Sequence, residues 1–496
     1  MKPCELALIA SLLASPALAA ARVDPAPVVA AERAFAADGL RLGVKASFLK
    51  HSAANAIVFR PDPVSAQDFY GKVADDAGGA PLVWWPLLAG IARSGDLGFT
   101  TGPFTFDGKP GGSYFTVWKK QADGSWTSTF GWTDRPDGKT VSFSDCARGD
   151  IHFDKESGHK IAFDVTDTTF DSNGVKLAGR LVMPKGDGKV PVVVLTHGSE
   201  HDSALDFYSL QRMFPAQGIG VFVFDKRGTG VSGGTYTQDF DTLADDDIKA
   251  MQEARKLAGA RAGRVGYQGG SEACWVVPLA VNKAPVDFAI IGFGLAVTVL
   301  EEDQESVALD MYFHHHSAED TKKALELARA GEAIVETRSM DGYDKFDALR
   351  QKYKNEPWYK DVHGDFLWFI LPLDKTKMEA ATKQFDFHTP FRYEPMPTLR
   401  ASTTPQLWIL GTDDLEAPSA ETSKRIKSLI ADGKDYTLAV YPGAEHGMTE
   451  YELNAKGERL STRFVPGYFQ MMADFIRDGR IGAHYGKAEI TQPRAH

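Results

Sequence analysis

The chain has 496 residues, 24% of them charged, and a formal net charge of −11. That length exceeds what one hydrophobic core serves, so two or three domains are expected. The acidic balance argues against nucleic acid or an anionic membrane surface as partner.

Residues 1–20 carry Lys2, an apolar run from Leu6 to Leu18 and the small-x-small step Ala17-Leu18-Ala19. This resembles a secretory signal peptide cut after Ala19 or Ala20, which predicts a secreted or periplasmic protein. The run is too short for a mature membrane anchor, and no later segment is long and apolar enough to serve as one. Cys146 and Cys274 then remain. They fall in different predicted domains, which argues against a disulfide between them and against a metal site. Val23 to Val28 reads as a Pro/Ala linker. Val29–Asp38 and Leu40–Lys50 read as helices, with Phe35, Leu40, Val44, Phe48 and Leu49 facing a core. Strands are predicted at Ala56–Pro61, Leu97–Phe104, Ser113–Lys120 and Ser125–Phe130, and Asp123-Gly124 is a strong hairpin signal between the last two. Trp84 and Trp85 are assigned to the core. Helices followed by a curved antiparallel sheet, with Tyr114, Trp118 and Trp126 spaced along it, resemble the NTF2-like (SnoaL-like) cone fold. That resemblance implies a small α+β domain at about 28–150, acting as a ligand-binding or homodimerisation module.

The pattern changes after residue 158. Antiparallel strands are expected around Ile161–Phe170 and Val175–Met183, followed by almost continuous apolar runs at Lys189–Thr196 and Gly220–Phe224. Such runs suit strands buried on both sheet faces. The first ends in His197-Gly198-Ser199-Glu200. The second ends in Asp225-Lys226-Arg227-Gly228-Thr229-Gly230-Val231-Ser232-Gly233, which spells the spacing of a dinucleotide-binding turn. Such a turn needs its helix to start within the glycines; here the helix is expected only near Thr242, so that reading is set aside.

Arg264–Gly270 is a third strand, and Ser271 stands at its junction with a helix in Gly269-Gly270-Ser271-Glu272-Ala273. A serine on a sharp strand-to-helix turn exposes its hydroxyl, and the helix start offers the Glu272 N–H to a developing oxyanion. A serine hydroxyl needs an imidazole to take its proton, and the imidazole needs a carboxylate to orient it. Both are supplied downstream, at the ends of predicted strands. Gln406–Leu410 runs into Gly411-Thr412-Asp413-Asp414, and Tyr436–Tyr441 into Glu445-His446-Gly447. The carboxyl ends of parallel strands share one sheet edge, where these groups can converge.

These five segments together resemble the prolyl-oligopeptidase-like and acyl-esterase branch of the α/β-hydrolase superfamily, over residues 158–496. The resemblance implies a mostly parallel, doubly wound sheet, with the helical stretch at about 296–393 as a cap over the site. It implies Ser271, Asp414 and His446 as the triad, Asp414 being preferred to Asp413 because Gly411, Asp414 and Pro418 fit the family spacing. It implies an oxyanion hole from the N–H groups of Glu272 and Ser199, with Glu200 as the alternative to Ser199, and no cofactor or metal. The substrate implied is a small ester or acyl compound, with peptide or thioester bonds as the other choice; a catalytically inert scaffold binding a hydrophobic ligand is the non-enzymatic reading. Two departures stand out: Ala273 replaces the last elbow glycine, and Glu200 brings an acid to the oxyanion loop. The run His314-His315-His316 is read as a solvated segment, since neighbouring helix positions do not share a face. Trp358, Tyr359, Phe366, Trp368 and Phe369 are assigned mainly to the core of the cap.

Overall fold

The computed structural model describes residues 24–59, 63–74, 79–92, 94–133, 163–382, 387–454 and 457–493. They divide into two units, one up to Arg135 and one from Pro136. The predicted signal peptide and Cys146 lie outside the described residues.

In the first unit the expected linker is instead the start of a helix. Proline is tolerated in a first helical turn, where its missing N–H has no intrahelical acceptor anyway, and α1 spans Ala26–Leu42 with proline in that turn. Gly43, at φ +84°, ends it, and α2 (Val44–His51) follows. The strands are β1 (Ser52–Phe59), β2 (Pro63–Ser65), β3 (Leu82–Trp84), β4 (Leu88–Ile91), β5 (Leu97–Phe106), β6 (Lys109–Lys120) and β7 (Trp126–Thr133), with α3 (Ala66–Lys72) after β2. They form one sheet in the order β2-β1-β7-β6-β5-β3, with β4 also on β5. The β6–β7 turn has Gly124 at φ +85°, and Asp123 accepts the Ser125 N–H, as the Asp-Gly pair predicts. Val28, Phe35, Trp84, Phe104, Tyr114 and Trp118 make the core. Glu32 is fully buried among them. Its carboxyl takes the indole N–H of Trp84 at 2.6 Å and of Trp118 at 3.0 Å, and the Thr100 hydroxyl.

The second unit is built on nine strands: β8 (Phe163–Ser172), β9 (Val175–Pro184), β10 (Val190–Thr196), β11 (Gly220–Phe224), β12 (Ala262–Gly270), β13 (Phe288–Gly292), β14 (Gln406–Gly411), β15 (Tyr436–Tyr441) and β18 (Glu489–Thr491). A separate hairpin joins β16 (Thr449–Leu453) and β17 (Arg459–Phe464). The sheet order is β18-β15-β14-β13-β12-β10-β11-β9-β8, parallel from β11 through β15 and antiparallel at both margins. The alternation of the pleat explains the apolar runs. Val192, Val194, Ala289, Ile291, Trp408 and Leu410 feed one core, with α4 (Phe240–Ala258), α5 (Ala273–Lys283) and, later in the chain, the helix Ser419–Ala431. Val193, Leu195, Phe288, Ile290, Leu407 and Ile409 feed a second core on the opposite face, against the helix Tyr468–Asp478. Between β13 and β14 lie α6 (Val299–Phe313), α7 (Ala318–Thr337) and α8 (Tyr343–Tyr353), then shorter helices ending with Pro395–Ala401. The helical segment thus extends past the predicted limit of 393.

Candidate active site

The chain steps from β10 outward to β11 and then returns to β12 on the other side of β10. A reversal of this kind opens a crevice at the carboxyl ends of the strands, and the loops after β10 and β12 flank it here. Ser271, after β12, has φ +54°, in the left-handed region that non-glycine residues seldom occupy. Its N–H donates to Gly292 O at 3.2 Å, and its carbonyl receives the Cys274 N–H at 2.9 Å. A Cβ on Gly269 would lie 2.4 Å from that of Ala273. With alanine at 273, glycine at 269 is therefore required, and the elbow tolerates this departure because its partner position gives way.

Asp414 follows β14, is fully buried, and accepts the N–H groups of Ala417 at 2.8 Å and Glu416 at 3.0 Å. Its two oxygens stand 3.0 and 3.1 Å from His446 Nδ1. Asp413 is turned away, with its carboxylate receiving the Tyr451 hydroxyl at 2.8 Å. Burial works against the charged form of His446, but the charge and hydrogen bond of Asp414, then Glu416 and Glu445, outweigh it and raise its pKa. His446 Nε2 lies 3.5 Å from Glu416 Oε2. Among the described residues it makes no hydrogen bond to Ser271, a contact that often tightens only with substrate bound. The Phe293 ring meets the imidazole edge-on, with centroids 4.9 Å apart, and holds it from the side.

Ser271 and His446 line one cavity of about 460 Å3, together with Gly198, Ser199, Glu200 and Glu416. Among the described residues neither the Glu272 N–H nor the Ser199 N–H has a protein acceptor. His197 is structural in its contacts: Nε2 sits 2.9 Å from Phe224 O, and Nδ1 3.2 Å from Glu200. Glu200 also receives the Tyr208 hydroxyl. Burial works to raise its carboxyl, but His197 and Tyr208 hold it down at about 2. Glu200 is thus ionised and tied back by two partners.

The glycine-rich turn after β11 is a knot around Asp225. That buried carboxylate accepts the Ser203 hydroxyl at 2.8 Å and the N–H groups of Leu205 and Val231, each at 3.1 Å. A Cβ on Gly230 would fall 1.9 Å from Asp225 Oδ2, so the glycine spacing serves this close approach. Arg227 makes a two-pronged contact with Asp246 at 2.6 and 2.7 Å. His316 Nε2 lies 2.9 Å from Asp361, and among the described residues no group of His, Cys, Asp or Glu could hold a metal ion. Also among them, no helix is long and apolar enough to cross a membrane. Cys274 is buried and free.

Sequence reasoning missed Lys226, Tyr236, Phe293 and Glu416. Glu416 carried a signal, being two residues from Asp414. The others meet the site through contacts distant in sequence.

Residues 152–319 match the Esterase FrsA-like family, and residues 364–472 match the prolyl oligopeptidase family. Esterase FrsA of Salmonella typhi is 29% identical over 167 residues, covering 32% of this chain and 40% of its own length. Esterase FrsA of Escherichia coli (strain K12 / DH10B) is 30% identical over 168 residues, with the same coverage of 32% and 40%. The chain thus spans well under half the length of these curated relatives. Among solved structures, Pyrococcus horikoshii acylaminoacyl peptidase is similar with a TM-score of 0.38 at 15% identity, over 76% of this chain and 47% of its own. A Pyrococcus furiosus esterase has a TM-score of 0.37 at 15% identity, over 57% of this chain and 84% of its own. The strand order and the two family matches carry the conclusion that the second unit is an α/β hydrolase of the esterase and prolyl-oligopeptidase type.

Proposed function

We propose that this protein is a serine hydrolase of carboxylic esters, acting through an acyl-enzyme on Ser271. The observation that carries this reading is the buried Asp414 paired with His446, in one cavity with a serine on a strained elbow. His446 Nε2 takes the Ser271 proton as Oγ bonds to the acyl carbon, and the Glu272 and Ser199 N–H groups receive the oxyanion. Collapse of this intermediate breaks the bond to the alcohol, which leaves with the proton from His446. Water then adds to the acyl-enzyme, giving its proton to His446, and the second collapse returns that proton to Ser271 Oγ as the acid departs. Asp414 keeps Nδ1 protonated throughout.

The cavity walls favour an apolar acyl or alcohol group: Phe207, Leu210, Phe464 and Phe469 line it. Its carboxylates, Glu200 and Glu416, disfavour anionic substrates. The NTF2-like reading of the first unit and export by the segment 1–20 belong to the same proposal, the first supported by helices preceding a long sheet that is antiparallel except where β1 runs parallel to β7. Replacing Ser271 by Ala is expected to lower hydrolysis of p-nitrophenyl butyrate by about 10^4-fold or more and to abolish fluorophosphonate labelling. Wild-type turnover in that variant would end the proposal. The prolyl oligopeptidase match, which spans both Asp414 and His446, favours peptide bonds as the second reading. Faster cleavage of aminoacyl anilides than of aryl esters would select it.

A further inference from the structure

Lys226 follows β11 and is almost wholly enclosed, at 2% exposure. Its Nζ donates to Gly198 O at 2.6 Å and stands 3.4 Å from Glu272 Oε1. The Tyr236 ring centroid is 4.6 Å from the same atom. Enclosing a lysine and a glutamate costs solvation of both and the rotamer freedom of two long side chains. The groups that Lys226 touches belong to the two halves of the oxyanion hole. Glu272 carries one of the donor N–H groups. Gly198 O shares a peptide unit with the other, Ser199 N–H.

In a trans peptide the C=O and N–H point in opposite directions. A carbonyl fastened to Lys226 therefore turns the Ser199 N–H away from the lysine. The next peptide is fastened in the same manner, because the Tyr236 hydroxyl donates to Ser199 O at 2.6 Å. Both carbonyls around Ser199 are thus anchored from side chains of the segment after β11. The same lysine reaches across to the residue after the nucleophile.

We propose that Lys226 is a positioning residue of the oxyanion hole, fixing the Gly198–Ser199 peptide against the Ser271 elbow so that both N–H groups face the acyl oxygen. This rests on the hydrolase reading above. Burial pushes the Glu272 carboxyl up to about 7 against the opposing pull of Lys226, so removing the lysine leaves a carboxyl that can take up a proton. A pair that only held the fold together would act through stability alone.

Three proteins separate these roles: wild type, Lys226→Met, and Lys226→Met combined with Glu272→Gln. Lys226→Met is expected to lower kcat for p-nitrophenyl butyrate about 100-fold, the scale of losing one oxyanion donor, with KM within about twofold. Deuterium uptake by the backbone at 195–203 should rise. The double variant, which has no unpaired carboxylate, should recover the wild-type Tm while kcat stays low. Recovery of kcat together with Tm, or uptake at 195–203 equal to wild type, would overturn the inference. A wild-type protein inert to esters and to fluorophosphonate would instead bring down the hydrolase reading and the oxyanion role with it; the exchange data would still decide whether Lys226 holds the loop.

Discussion

His446 has a carboxylate at each ring nitrogen, Asp414 at Nδ1 and Glu416 at 3.5 Å from Nε2. Asp414 orients the ring; Glu416 only favours its charged form. A general base must be neutral, so activity is expected to rise with pH through a His446 pKa raised above the ordinary imidazole range, since Asp414 and then Glu416 and Glu445 outweigh the effect of burial. Glu416→Gln removes one of these charges. It should move the acidic limb of kcat/KM to lower pH while leaving the plateau within a few fold, and a pH profile of both proteins checks this. An unmoved limb would mean that substrate or solvent screens Glu416 from the ring. The residue scale also shows what the sequence carried. Ser271, Asp414 and His446 are legible because each follows a strand that the sequence marks, and a serine, an acid and a histidine in that order at three strand ends seldom coincide by chance. The tie from Lys226 to Glu272 is not legible, because two charged residues 46 positions apart announce no contact until the sheet brings β11 and β12 to either side of β10.

At the scale of elements, the helices between β13 and β14 bury several acids. Burial raises Glu302, Asp303 and Asp310 on α6 and Asp365 beyond it, and mutual repulsion between neighbouring carboxylates adds to the effect on Glu302 and Asp365. Burial also lifts Glu305 on α6 and Glu332 on α7 to about 7. A carboxyl with a raised folded pKa contributes fully below its unfolded value, near 4.5, and its contribution is lost as pH rises through the folded value. The opposite class, exposed acids held low by cationic neighbours such as Asp164 and Glu421, acts only at more acidic pH. Between pH 5 and 8 the first class governs, so Tm should fall steadily over that interval. Calorimetry at each pH tests this, and Glu305→Gln with Glu332→Gln should flatten the slope. Element boundaries follow the same physics. The apolar runs mark the buried parallel strands closely, whereas β2, β4 and β18 have three or four residues each, too few to show a period. Proline at the start of α1 reads as a linker because the same residue suits both a linker and a first helical turn.

For the whole molecule, the two units keep separate hydrophobic cores: the residues of the first lie before β8 and those of the second from β8 onward. The larger unit has a margin of particular interest. β15 is buried at every position but Val440, and β18 pairs along its outer edge through Leu438, Ala439 and Val440. Three residues near the end of the described chain thus stand between a β-rich apolar strand and solvent. An uncovered edge of this composition is a template for pairing with other chains. Ending the protein before Glu489 should leave the triad and its loops in place while making the protein self-associate, which light scattering against concentration will register. The consequence concerns handling as much as biology. A tag or fusion appended after Thr491 acts on the strand that keeps the sheet from finding a second sheet, and solubility will be decided there, on the neighbour of the strand that leads to His446.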